Sequence, residues 1–230
     1  YTERWAIDSG DKKPSGLMSL LAGSPIAASQ IKHVPRDAHY MMAFNMDPKL
    51  IHQQIRGIMD KLDKNALAEF DAAVEAMERQ FNVKLKTGIL DHLGTTWTVF
   101  NNGDDDGVLQ TGMTATIEVR NRVGIERSMR SFVASVRAQL QKPEPENDDE
   151  FRRWRRSVTQ IRETLHRGHT IYYLNVIGGF GPQVPVAWTV TDRTLAIGIN
   201  PQALRAHIDQ IAANDDNSIA SDPAVMALLK

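Results

Sequence analysis

Along residues 39–230 the apolar positions switch between a period of two and a period near three and a half, and each switch marks an element. From His39 to Met46 the run Tyr40-Met41-Met42-Ala43-Phe44 reads as a strand. It ends at Asn45-Met46-Asp47-Pro48, where Asp47 can cap a helix and Pro48 can take its first position. Ile51, Ile55, Ile58 and Leu62 then recur at helical spacing. A second helix starts at Asn65, with Leu67, Phe70, Val74, Met77 and Phe81 spaced 3, 4, 3, 4. That regularity predicts one core-facing stripe of an αα-hairpin.

Period two returns at Thr96–Phe100, around Trp97 and Val99, and again at Met113–Val119. There Met113, Ala115, Ile117 and Val119 share one face and Thr114, Thr116 and Glu118 the other. Such alternation predicts a sheet with one face buried and one wet, hence antiparallel. Arg122–Leu140 is a third long helix, with Ile125, Met129, Phe132, Val136 and Leu140 inward. Val158–Leu165 and Thr170–Ile177 form a hairpin, and Val184–Val190 and Leu195–Ile199 another across Asp192-Arg193. Pro201 opens a helix to Ala213, and Ser221-Asp222-Pro223 opens one more. The joint from Phe44 to Ile55 parallels that from Ile199 to Ile211, which common capping chemistry explains.

These elements predict one α+β domain over residues 39–220, an antiparallel sheet of about six or seven strands with the long helices packed on one face. Residues 1–38 carry Gly10, Pro14, Gly16, Gly23, Pro25 and Pro35, and read as an extended lead-in or inter-half linker with one short helix at Leu17–Ala22. Trp5 and Ile7 are apolar for such a segment and are expected to dock on the body or on a preceding half. Residues 221–230 read as the start of a truncated helix, and the whole as a segment cut from a longer chain.

An apolar share of 42% provides for a core, and no apolar run approaches the ~20 residues that span a bilayer. With 27 Lys and Arg against 28 Asp and Glu there is no global field for a polyanion, so nucleic acid is not an expected partner. The absence of cysteine removes disulfides, thiolate nucleophiles and Cys-based metal sites together.

Candidate chemistry is sparse. Asn102-Gly103-Asp104-Asp105-Asp106-Gly107 opens like a calcium loop, but the twelfth position, which should be a bidentate carboxylate, is Met113. Gly178-Gly179-Phe180-Gly181 follows a strand, yet Pro182 and another strand stand where a phosphate loop needs a helix N-terminus. His166 and His169 sit close together without an identifiable third ligand, while His52, His92 and His207 read as packed or exposed residues. Arg152, Arg153, Arg155 and Arg156 around Trp154 have binding character, because guanidinium forks take carboxylate or phosphate and stack on aromatics. Glu144, Glu146, Asp148, Asp149 and Glu150 precede them and can neutralise the patch locally. No Gly-x-Ser-x-Gly elbow or zinc helix occurs. The expectation is therefore no catalytic residue, no metal site and no cofactor, with Arg152–Arg156 as a contact for an anionic surface or partner.

Three stretches carry a resemblance: Val34-Pro35-Arg36-Asp37-Ala38, Gly88-Ile89-Leu90-Asp91-His92-Leu93-Gly94 and Ala220-Ser221-Asp222-Pro223-Ala224. With Glu3-Arg4-Trp5, Pro14-Ser15-Gly16-Leu17 and Leu20-Leu21-Ala22-Gly23, their order resembles a family of large exported bacterial proteins containing a repeated domain of unknown function. The resemblance implies an extracytoplasmic place, a repeated α+β unit of which this is one copy, and no catalytic residues. The expected function is a non-catalytic binding or scaffold module, its partner a protein or the flanking half of the same chain. A carrier enclosing an apolar ligand between curved sheet and helices, and a hydrolase with dispersed carboxylates, are the alternatives.

Overall fold

A computed structural model describes residues 24–101, 112–141, 158–176, 186–213 and 217–228. Within them the chain forms a seven-stranded sheet in the order β1-β2-β3-β7-β6-β5-β4, antiparallel at each neighbouring pair. The strands are β1 (Met41–Asn45), β2 (Leu93–Asn101), β3 (Met113–Val119), β4 (Val158–His166), β5 (His169–Val176), β6 (Val186–Val190) and β7 (Thr194–Gly198). Helices α1 (Pro48–Leu62) and α2 (Lys64–Phe81) join β1 to β2, and α3 (Arg122–Gln141) carries the chain from the sheet centre to the far edge. From there β4 to β7 meander back to β3, and α4 (Pro201–Ala212) and α5 (Pro223–Leu228) follow.

The local chemistry that predicts these elements is in place. Asp47 accepts a hydrogen bond from the Lys49 N–H at 2.8 Å and Asn200 from the Ala203 N–H at 2.7 Å, each followed by proline at the start of its helix. The β4–β5 turn has Arg167 at φ 45° and Gly168 at φ 80°, the left-handed pair that a two-residue hairpin requires. The stretch Gly88–Gly94 crosses from a π-turn (Leu85–Ile89) through a 3-10 turn (Leu90–His92) into β2. The His92 carbonyl accepts from the N–H groups of Arg120 (2.8 Å) and Asn121 (3.2 Å), tying this crossing to the start of α3.

One face of the sheet carries the long helices. Ile125 of α3 packs on Leu93, Ile117, Val119 and Val190, and Val133 and Val136 pack on Ile161 and Trp188. The α1–α2 hairpin joins this side through Phe81 against Phe132, with ring centroids 5.1 Å apart. Of the predicted α2 stripe, Leu67, Phe70, Val74 and Phe81 are half-buried and Met77 is exposed, because the two helices cover chiefly each other.

The opposite face is not wet, which corrects the reading of the β3 alternation. Thr114 and Thr116 are 0% and 3% exposed, and Thr98, Thr189, Thr191 and Thr194 are equally buried. Helix α4 covers β5, β6 and β7 there with Leu204 and Ile208. Of the expected lead-in, residues 24–38 are described, and Ile31 and Val34 are fully buried against Phe100 and Ile219. Two covers cross the polar face, so its side chains had to satisfy one another.

Candidate functional site

The buried threonines form a hydrogen-bonded floor. Thr98 and Thr116, directly paired across β2 and β3, have hydroxyls 2.6 Å apart, and His33 Nε2 reaches both, at 2.9 and 3.0 Å. His33 is held there because Ile31 and Val34 anchor the segment on either side of it. From α4, His207 Nε2 bonds the Thr194 hydroxyl at 3.1 Å, and Thr194 in turn bonds Thr191 at 2.8 Å. The two imidazoles meet edge to face with centroids 5.6 Å apart, and Phe100 touches both.

Burial pushes His33 down to about 4, with the Arg193 guanidinium adding to the effect. Burial also drives His207 well below the ordinary imidazole range, with His33 and His169 adding. Both rings are neutral at pH 7, and each bonds hydroxyls that can turn to suit either tautomer. Thr114 Oγ1 and His207 Nδ1 are buried without a hydrogen-bond partner among the described residues. Each such orphan costs about 1–3 kcal/mol.

Beside this floor lies a cleft of about 560 Å³. Its walls come from the segment around Ser29–His33, from β2 and β3 at Thr96 and Glu118, from the β6–β7 turn at Asp192 and Arg193, and from the C-terminal turn of α4 at Gln210. Glu118 Oε2 accepts from the Thr95 N–H at 3.2 Å. That carboxylate fits only because residue 94 is glycine: a Cβ there would stand 2.2 Å from Oε2. Asp192 pairs outward with Arg122, which also binds Glu126 at 2.6 Å.

The residues singled out by sequence do not converge here. Arg152, Arg153, Trp154, Arg155 and Arg156 lie outside the described residues, as do the acidic run before them, the stretches 102–107 and 178–181, and Trp5, Ile7 and Leu17–Ala22. His166 Nε2 bonds Asp209 at 2.9 Å, an acceptor it shares with Arg167, while His169 Nδ1 faces the Val190 carbonyl at 3.2 Å. Each ring has its own partner, and among the described residues no group of three metal-ligating side chains occurs. His52 rests against Phe70 and His92 against Gly124. No helix among the described residues is long and apolar enough to cross a membrane. Sequence patterning does not single out the cleft residues Glu118 and Arg193 or the floor residue His33; their one sequence signal is threonine at alternate positions on neighbouring strands.

Compared with models of protein families, with curated proteins and with solved structures, the chain matches none.

Proposed function

We propose that this domain is a non-catalytic, extracytoplasmic binding module whose ligand site is the cleft between Ser29–His33, the β6–β7 turn and the end of α4. The observation that carries this reading is a cleft of mixed lining whose one base–nucleophile contact, His33 with Thr98, is closed off beneath it. His33 and Thr98 have the contact of a base and a nucleophile, but Thr98 is 1% exposed and no substrate carbonyl can reach its hydroxyl. Asp192 is bound to Arg122, and Glu118 uses one oxygen to hold the start of β2. A hydrolase that works through two carboxylates needs both free to move protons, and of the two that line this cleft Asp192 is tied to Arg122. A carrier of apolar ligands needs a continuous apolar lining, whereas Gln30, Lys32, Glu118, Asp192, Arg193 and Gln210 interrupt this one.

Backbone amide spectra of the isotopically labelled domain, titrated with a mixed set of small polar compounds, test the assignment. Saturable shifts should cluster at Ser29–His33, Glu118 and Asp192–Thr194. Shifts confined to other surfaces, or turnover of an ester or glycoside panel abolished by His33→Gln, would overturn it. Extracytoplasmic placement, and membership of the exported family, rest on the sequence resemblance; fractionation of cells producing the full-length protein checks the former.

A further inference from the structure

We infer that the cleft takes a small dipolar ligand, one bearing both a carboxylate and an ammonium group as a free amino acid does, with Arg193 binding the carboxylate and Glu118 the ammonium. The inference rests on the cleft being the binding site and names what it selects.

Subtraction leads to it. Most polar groups around the cleft are occupied within the protein. Gln30 donates from Nε2 to Thr96 at 2.5 Å and accepts at Oε1 from the Ala27 N–H at 2.7 Å. Gln210 donates to the Asn217 carbonyl at 2.9 Å and accepts from the Asn217 side chain at 3.1 Å. Asp192 belongs to Arg122, and Lys32 has an interaction of its own. Two charged groups are left. The Arg193 guanidinium has no hydrogen bond or ion pair among the described residues, and Glu118 uses only Oε2, leaving Oε1 without a partner among them.

Glu118 lies on β3, and Arg193 in the β6–β7 turn just before β7, the strand that pairs with β3. Glu118 pairs with Thr194, and the Val119 N–H donates to the Arg193 carbonyl at 2.7 Å. Arg193 is exposed and Glu118 half-buried, and no guanidinium nitrogen comes within 4.0 Å of the carboxylate. Both residues line the same cleft, whose 560 Å³ is within the usual range for small-molecule sites. A ligand with one charge of each sign satisfies both groups at once. A simple anion would leave Glu118 facing it, and a simple cation would leave Arg193 facing it. The fork of Arg193 suits a carboxylate, and one carboxylate oxygen suits an ammonium proton.

The test uses glycine, β-alanine, 4-aminobutanoate and 6-aminohexanoate, which separate the charges progressively, with acetate and methylammonium chloride as single-charge controls. Amide shifts at Glu118 and Asp192–Thr194 give the affinities. At least one of the four should bind about tenfold or more tighter than either control, with a dissociation constant on the order of 1 mM or below. Arg193→Gln and Glu118→Gln should each weaken that binding about tenfold, since each removes a charge-assisted contact. The Glu118→Gln variant keeps an acceptor for the Thr95 N–H, and Arg205→Gln, whose guanidinium donates to Thr164 of β4 and does not line the cleft, should change nothing. If acetate binds as well as every amino acid and Glu118→Gln has no effect, the dipolar inference fails while the cleft remains a ligand site. If no probe shifts these amides while other polar compounds do, the inference fails alone. If nothing binds at the cleft, both readings fall.

Discussion

Lowering the pH from about 7 to about 5 should loosen this domain through His33. Its folded-state pKa of about 4 lies below the unfolded value of 6.5, because the ring is buried on Thr98 and Thr116 with the Arg193 guanidinium nearby. The folded protein therefore binds fewer protons than the unfolded chain between those values. Stability from this group is full above pH 6.5, falls as the pH descends, and levels off below about pH 4. Integrating proton binding from about pH 7 to pH 5 gives a loss of about 2 kcal/mol for His33 alone. His207, also held neutral by burial, adds a loss of the same sign. Asp91, Asp209 and Glu78 are lowered below ordinary carboxylate values by their cationic partners and contribute little in that window. With an unfolding slope of ~2–3 kcal/mol per molar urea, the His33 contribution lowers the midpoint by somewhat under ~1 M. Urea titrations of the native protein and of His33→Gln, at both pH values, measure it. Glutamine can present an amide near the position of Nε2 but cannot take up a proton, so the variant should lose much of the pH-dependent drop. Equal drops in the two proteins would mean that His33 is not held neutral in the folded state.

Further outcomes are expected. Gly124→Ala, which in an exposed helix would stabilise by about 1 kcal/mol, should instead cost ~1–3 kcal/mol, because the new Cβ would stand 2.4–2.6 Å from three ring atoms of His92. Adding His92→Ala should turn the same change stabilising in thermal melts, and a Gly124→Ala single variant that melts higher would refute the contact. Thr114→Val removes a buried hydroxyl that has no partner among the described residues, so stability should hold or rise by up to about 1 kcal/mol in chemical unfolding; a clear loss would reveal a partner for it. Calorimetry should find no calcium bound more tightly than about 100 μM, because Met113 stands where the Asn102–Gly107 loop needs a carboxylate. Replacing Asp148, Asp149 and Glu150 by Asn and Gln should strengthen salt-dependent binding to an anionic polymer, and unchanged binding would reject masking of Arg152–Arg156.

The elements themselves are legible in the residues because their signals are local. Met113–Val119 forms a strand over the predicted residues, and Asp47-Pro48 and Asn200-Pro201 open helices where their side chains can reach a backbone N–H a few positions on. Antiparallel pairing is legible for the same reason, since tight two-residue turns such as Arg167-Gly168 leave the next strand no other direction. What covers each face is not legible. Alternation separates Thr114, Thr116 and Glu118 from their apolar neighbours, but whether that face meets water or protein depends on segments far away in the chain. Here Ile31 and Val34 from one end and Leu204 and Ile208 from the other close over it, and the threonines and two histidines are buried as a bonded layer. The cleft is likewise a product of the tertiary structure. Gln30, Glu118, Arg193 and Gln210 lie far apart in the chain and acquire a common environment only when β3 and β7 pair and the first and last segments dock on the same side of them. No spacing rule along a chain can register a charge that is left without a partner by folding, because that property belongs to the neighbours and not to the residue.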